Sequence, residues 1–241
     1  MSTKELNAKS YIILRSFLLE EELHFIKGAI LKKINLILPN ELRFRTWHEL
    51  TTRYESIGTL HGKLGEKRQR CLSKSEVNIL MNSQLSERIY ELIGDYEITD
   101  EEEYGMPEIY WRIVRTNQEN DVGPIHADGW FWDINEKWAQ RYKNQERIKF
   151  WIAIETEAMR NGLEIVADID GFGGKDLLYR VVESNGKYKP MLRDNVVLPK
   201  AELLETNPGD AVMFGDRLLH AGAMNVGDKP RISIEFTCCK K

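Results

Sequence analysis

Arg231-Ile232-Ser233-Ile234-Glu235-Phe236 alternates charged or hydroxylated side chains with large apolar ones. Successive residues of a strand project to opposite faces. Ile232, Ile234 and Phe236 therefore share a face made for a core, and Arg231, Ser233 and Glu235 share a polar one. Short β-branched and aromatic runs recur upstream at 108–115, 148–155, 163–167, 177–182 and 211–214, each of strand length. Gly123-Pro124, Asn161-Gly162, Pro208-Gly209, Gly227 and Pro230 punctuate them, as turns require. Before residue 105 the period changes. Leu19, Leu23, Ile26, Ile30 and Ile34 recur at helical spacing across 17–36, with Glu20, Glu21 and Glu22 at the start and Lys32 and Lys33 at the end, as the helix dipole favours. A second helix is expected over 75–93, stopped by Gly94, and 40–74 reads as loop-rich. Helices followed by short strands predict a mainly β fold with flanking α: a jelly-roll (cupin-like) barrel that can hold a ligand in its mouth. One domain is expected over 1–241, with a helical part at about 1–105 and a barrel at about 106–238.

The 241 residues suffice for a substantial core. A net charge of −4 and the lack of a basic stripe argue against a nucleic-acid partner; the basic run at 63–70 reads as a solvated loop. No window approaches the apolar length of a membrane span, and Met1-Ser2-Thr3-Lys4-Glu5 lacks a signal-peptide pattern. A cytoplasmic protein acting on a small molecule is expected, its oligomeric state unreadable. Cys71, Cys238 and Cys239 fit neither a disulfide framework nor a Cys-x-x-Cys zinc site; the adjacent pair reads as incidental.

Two of the five histidines have a chemical context. In Gly123-Pro124-Ile125-His126-Ala127-Asp128-Gly129, an extended chain would point His126 and Asp128 the same way. His220 follows the strand at 211–214. Two imidazoles and a carboxylate on one side of a metal form the facial triad of iron(II) oxygenases, which leaves positions open for a co-substrate and O₂. Arg231 could grip a carboxylate with two parallel hydrogen bonds and Ser233 could add a third, as the far end of a metal-bound dicarboxylate needs.

This ordered set, His126-x-Asp128, His220 and Arg231-x-Ser233, resembles the phytanoyl-CoA dioxygenase-like branch of iron(II)/2-oxoglutarate oxygenases. Tyr11-Ile12-Ile13-Leu14 with Phe17-Leu18, Phe150-Trp151-Ile152-Ala153-Ile154-Glu155 with Asn161-Gly162-Leu163, and Pro208-Gly209-Asp210-Ala211-Val212-Met213-Phe214 are similar to family segments. The resemblance implies a double-stranded β-helix with Fe(II) on His126, Asp128 and His220. It implies 2-oxoglutarate chelating that metal, with its far carboxylate on Arg231 and Ser233. It further implies O₂-dependent oxidation of a C–H bond with release of succinate and CO₂; an aspartate at 128, where halogenating relatives carry a small residue, favours hydroxylation. One departure is Ala167-Asp168-Ile169-Asp170-Gly171, where members often carry Pro-Gly-Ser-His.

Tyr110 and Arg112 share a strand face and fit contacts to 2-oxoglutarate or substrate, or equally a core aromatic and a salt-bridged arginine. Trp130, Phe131 and Trp132 follow the motif; Trp130 and Trp132 are the candidates to wall a substrate, and Trp151 reads as core. Arg180, Lys187, Lys189 and Arg193 read as a solvated edge. The expected substrate is a small polar metabolite or biosynthetic intermediate. Two other readings are a cupin-like metal enzyme without 2-oxoglutarate and a ligand-binding barrel that has lost catalysis.

Overall fold

A computed structural model describes residues 11–166, 178–184 and 186–241. β1 (Tyr11–Leu14) leads into α1 (Glu20–Leu36). Glu22, buried in the first turn of α1, accepts the Leu19 N–H and the Ser83 hydroxyl and pairs with Arg88. One carboxylate thus caps its own helix and ties it to a later one. The stretch read as loop holds two short helices, α2 (Trp47–Arg53) and α3 (Leu60–Lys63), among single turns.

The helix expected over 75–93 is two, α4 (Lys74–Met81) and α5 (Gln84–Ile93). The break has a local cause. The Asn82 amide donates to the Asn78 carbonyl, and the Ser83 hydroxyl donates to Leu80 while accepting from the Leu85 N–H. Short polar side chains that bond backbone end one helix and cap the next. Gly94 then ends α5 at φ 80°, a conformation that favours glycine.

After β2 (Tyr96–Ile98) and β3 (Tyr110–Val114) come α6 (Asp128–Ile134) and α7 (Glu136–Arg141). The remaining strands are β4 (Arg147–Glu155), β5 (Leu163–Ile165), β6 (Tyr179–Ser184), β7 (Lys187–Leu192), β8 (Glu202–Leu203), β9 (Ala211–Gly215), β10 (His220–Gly222) and β11 (Arg231–Lys240). β8 and β10 are too short to carry a period, and β7 contains Pro190, which a sequence reading takes as evidence against a strand. Ala167, Leu177 and the divergent run 167–171 lie outside the described residues.

The major sheet runs β1-β9-β4-β11-β2, with β3 also on β11; the minor sheet runs β10-β5-β8, and β6 and β7 form a hairpin. All pairings are antiparallel. The fold is the expected mainly β one with flanking helices, a jelly roll built from two facing sheets whose ladders do not close among the described residues. The alternation read at 231–236 governs its layers. One face of the major sheet presents Ile148, Phe150, Ile152, Ile232, Ile234 and Phe236 to the helices, in one core with Ile26, Ile30 and Leu85. The other presents Trp151, Ala153, Val212 and Phe214 to Leu163 and Ile165 of the minor sheet.

Phe150 stacks between Phe17 and Phe236, with ring centroids 5.7 and 5.3 Å away. Phe150→Ala should cost about 3–5 kcal/mol, read as a lower denaturant midpoint with an unchanged slope.

Candidate metal centre

His126 and His220 are held opposite each other by backbone. His126 N–H donates to the His220 carbonyl at 3.0 Å, and His220 N–H returns the bond at 2.9 Å. This single bridge extends the minor sheet beyond β10. Ala127 is still extended, and Asp128 then opens α6. The chain is therefore not extended through Asp128, as the sequence reading assumed, but turns into a helix there. Three bonds fix that turn: Gly129 N–H donates to the Asp216 carbonyl at 2.7 Å, and Arg217 spans to Asp133 with two bonds of 2.6 Å. A Cβ on Gly129 would lie 2.8 Å from the Arg217 side chain, so that clamp needs glycine.

The result is a compact donor set. One ligand atom from each of His126, Asp128 and His220 lies within 4.8 Å of the others. Asp128 Oδ1 is 3.7 Å from His126 Nε2, and Oδ2 is 3.8 Å from His220 Nε2. Both imidazoles meet a backbone carbonyl at Nδ1, Pro124 for His126 and Leu218 for His220, each at 2.9 Å. A carbonyl can only accept, so Nδ1 carries the proton and the Nε2 lone pairs face inward, the tautomer that metal ligation needs.

Electrostatics act on the same set. Burial pushes His220 down to about 4, which keeps it neutral. Burial would raise Asp128, but Lys149 and the two imidazoles hold it well below the usual carboxylate range. Lys149 Nζ lies 3.3 Å from Asp128 Oδ2, an oxygen that is buried without a hydrogen-bond partner. Burial would lower His126, but Asp128 and the Pro124 carbonyl hold it above the ordinary imidazole value, a proton that a bound metal would replace. Two imidazoles and an ionised carboxylate suit a divalent cation with open positions.

Arg231 stands beside this set, 1% exposed. It donates to Ser233 Oγ at 3.1 Å and lies over the Trp151 ring, while Nε and Nη2 have no partner. Burial, and then Arg112, push it down to about 9. A buried guanidinium with idle donors is costly unless an anion completes it. Gly222 makes room for it: a Cβ there would lie 2.8 Å from Arg231 Nη2. Gly222 is two residues from His220 on β10, so the guanidinium reaches the strand that carries a metal-ligating candidate. Gly222→Ala should displace it and weaken the hold on a carboxylate bound there roughly tenfold. Metal affinity should stay unchanged, as calorimetric titration would show.

The other expected residues divide. Arg112 is opposite Ser233 in register, pairs with Glu235 at 3.7 Å and leaves a buried Nε without a partner, on the site's side of the sheet. The Tyr110 hydroxyl is taken by Glu108 at 2.5 Å. Trp130 is buried against Tyr179, beside Ala127 and Leu219. Trp132 packs with Trp138, Tyr142 and Cys239, in a cluster apart from the donor set. Phe131 instead sets its ring edge-on to His126, centroids 5.9 Å apart. Arg180 pairs with Asp194, Arg193 donates to the Tyr179 carbonyl and Lys189 is exposed; the Lys187 side chain is not among those described. Burial pushes the Cys71 and Cys239 thiols up to about 11 and about 12, so they stay protonated. Lys149 and Glu235 were not anticipated as site residues. The signal available was a lone lysine inside the apolar run 148–154.

The sequence pattern of the family Phytanoyl-CoA dioxygenase (PhyH) matches residues 11–233. No curated protein sequence matches. Among solved structures, EvdO2 from Micromonospora carbonacea var. aurantiaca superposes at a TM-score of 0.59 with 14% identity, covering 98% of this chain and 89% of that one. EctD from S. alaskensis, solved with 2-oxoglutarate and 5-hydroxyectoine, gives 0.55 with 12% identity over 99% and 76%. HygX from Streptomyces hygroscopicus, solved with nickel and 2-oxoglutarate, gives 0.53 with 10% identity over 99% and 86%. At these identities the likeness speaks to fold, and the family match speaks to kinship. No helix among the described residues is long and apolar enough to cross a membrane. With the jelly roll and its His-Asp-His donor set, the match across 11–233 makes this chain a member of the phytanoyl-CoA dioxygenase family of Fe(II)/2-oxoglutarate-dependent oxygenases.

Proposed function

We propose that the protein hydroxylates a small polar metabolite at a centre formed by His126, Asp128 and His220, with helices and sheets acting as one catalytic unit over 1–241. The carrying observation is the pairing of two features across the facing sheets. Three donors are preset for a divalent metal, and a fully buried guanidinium keeps two nitrogens, Nε and Nη2, idle. A metal site alone would not need the arginine; a dicarboxylate chelated at one end and gripped at the other needs both.

Iron and 2-oxoglutarate, when bound, supply an oxidant able to attack an unactivated C–H bond, with succinate and CO₂ as co-products. The chain's own residues prepare the place. The Pro124 and Leu218 carbonyls fix both imidazole tautomers and ring planes. Ser233 orients Arg231, and the Trp151 ring under the guanidinium shuts water from that side. Phe131 and the Ala127–Trp130–Leu219 cluster give the donor set an apolar flank. Arg112 gives it a cationic one and suits it to a polar substrate.

The test is succinate release from purified protein supplied with Fe(II), ascorbate, 2-oxoglutarate and O₂, beside His126→Ala and Arg231→Ala variants. Slow substrate-free turnover in the wild type alone is expected. Failure of the iron-loaded wild type to bind 2-oxoglutarate would overturn the reading.

A further inference from the structure

β4 is apolar from Phe150 to Ile154, yet Lys149 turns inward with the site-facing residues, opposite Phe214 on β9 and Thr237 on β11. Its side chain is 13% exposed, and its ammonium sits 3.3 Å from Asp128 Oδ2. Glu235 acts on the same ammonium and is itself paired with Arg112 at 3.7 Å. Alternating charges therefore run outward from the donor set: Asp128, Lys149, Glu235, Arg112. Burying an ammonium in a sheet is costly without specific partners, and here the nearest is one oxygen of one candidate metal ligand.

We propose that Lys149 is a positioning residue whose ammonium reserves Asp128 Oδ2, so that the carboxylate offers only Oδ1 to the metal. The inference rests on the metal reading above. An ionised carboxylate can accept through both oxygens, and one that chelates through both takes two coordination positions. A facial triad works by keeping three positions open, two for the chelating co-substrate and one for O₂. Both oxygens face the donor set, Oδ1 3.7 Å from His126 Nε2 and Oδ2 3.8 Å from His220 Nε2, but the Lys149 ammonium is closer to Oδ2, at 3.3 Å; with Oδ2 held there, the carboxylate contributes a single donor and the third position stays free.

This role and a merely structural brace give opposite signs. A brace, once removed, loosens the site and weakens metal binding. Removing a reserving ammonium takes a buried cation from beside a divalent one and frees the second oxygen, so metal binds more tightly while turnover slows. Lys149→Met keeps the length of the side chain without charge. Its Kd for Co(II), titrated into the metal-free protein, should fall about tenfold, and succinate formation with Fe(II) should slow about tenfold. Lys149→Arg, which keeps a cation at Oδ2, should move both values back towards wild type. If the methionine variant does not fold, Lys149→Gln should shift both in the same directions by a smaller factor. Weaker Co(II) binding in Lys149→Met or Lys149→Gln, or wild-type values for both quantities, would overturn the proposal. A wild type that binds Co(II) but gains no visible absorption with Fe(II) and 2-oxoglutarate would instead sink the oxygenase reading, leaving the Co(II) comparison to decide on Lys149.

Discussion

Asp128→Ala is expected to abolish metal-dependent succinate formation and also to destabilise the metal-free protein. The first effect follows from losing one of three donors. Disturbing even the groups that orient a metal ligand costs 10–100-fold, so removing the ligand itself should cost at least ~10²-fold. The second comes from what remains. Lys149 would keep a buried ammonium with its closest counter-charge gone, and breaking a buried pair by deleting one partner costs about 3–5 kcal/mol. The sign with pH is fixed by the carboxylate. Burial would raise Asp128, but Lys149 and the imidazoles hold it well below its ordinary value. Its stabilisation is therefore complete above the unfolded value of about 4 and is lost as pH falls through the lowered one. The wild-type advantage in urea should be full at pH 7 and shrink in strong acid; an advantage unchanged down to pH 2 would mean that the pair contributes nothing.

The legible parts of this chain are those in which a period of two or a fixed spacing carries the information. The alternation at 231–236 sorts both layers of the major sheet, because pairing with β3 and β4 keeps every second residue on one face. His126-x-Asp128 announces two ligands that do converge, although by another route. The chain turns helical at Asp128, so the residue that shares its side is Phe131, three on, rather than Trp130 or Trp132. That turn also carries Trp132 into the Tyr142 cluster. The split of 75–93 has a local cause that an apolar period does not register, Asn82 and Ser83 bonding their own backbone. Lys149 was hidden because its partner is on α6, brought across the sheet only by the fold.

Arg231→Met should have the opposite combination of effects: a more stable protein that has lost its co-substrate. In the unliganded fold the guanidinium is buried, its Nε and Nη2 lack partners, and burial followed by Arg112 push it down to about 9. A base whose folded value is depressed costs stability at every pH at which the unfolded chain would hold it charged, including pH 7. Replacing it with an apolar side chain of similar length removes that cost, leaving the Ser233 hydroxyl as the one group that loses a bond. A gain of about 1–3 kcal/mol in urea unfolding is expected. Binding should move the other way. Truncating one partner of a buried, hydrogen-bonded charge pair costs about 2–5 kcal/mol, so 2-oxoglutarate should bind the iron-loaded variant at least ~30-fold more weakly. Thermal unfolding of the iron-loaded protein reads both terms in one series, since a ligand at a hundred times its wild-type Kd adds about 2.7 kcal/mol to the wild type and at most about 0.9 kcal/mol to the variant. The two melting curves should therefore cross as 2-oxoglutarate is raised, the variant melting higher without it and the wild type higher with it. A variant that is less stable than wild type without 2-oxoglutarate would mean that Arg231 is a structural residue whose idle donors are satisfied within the fold.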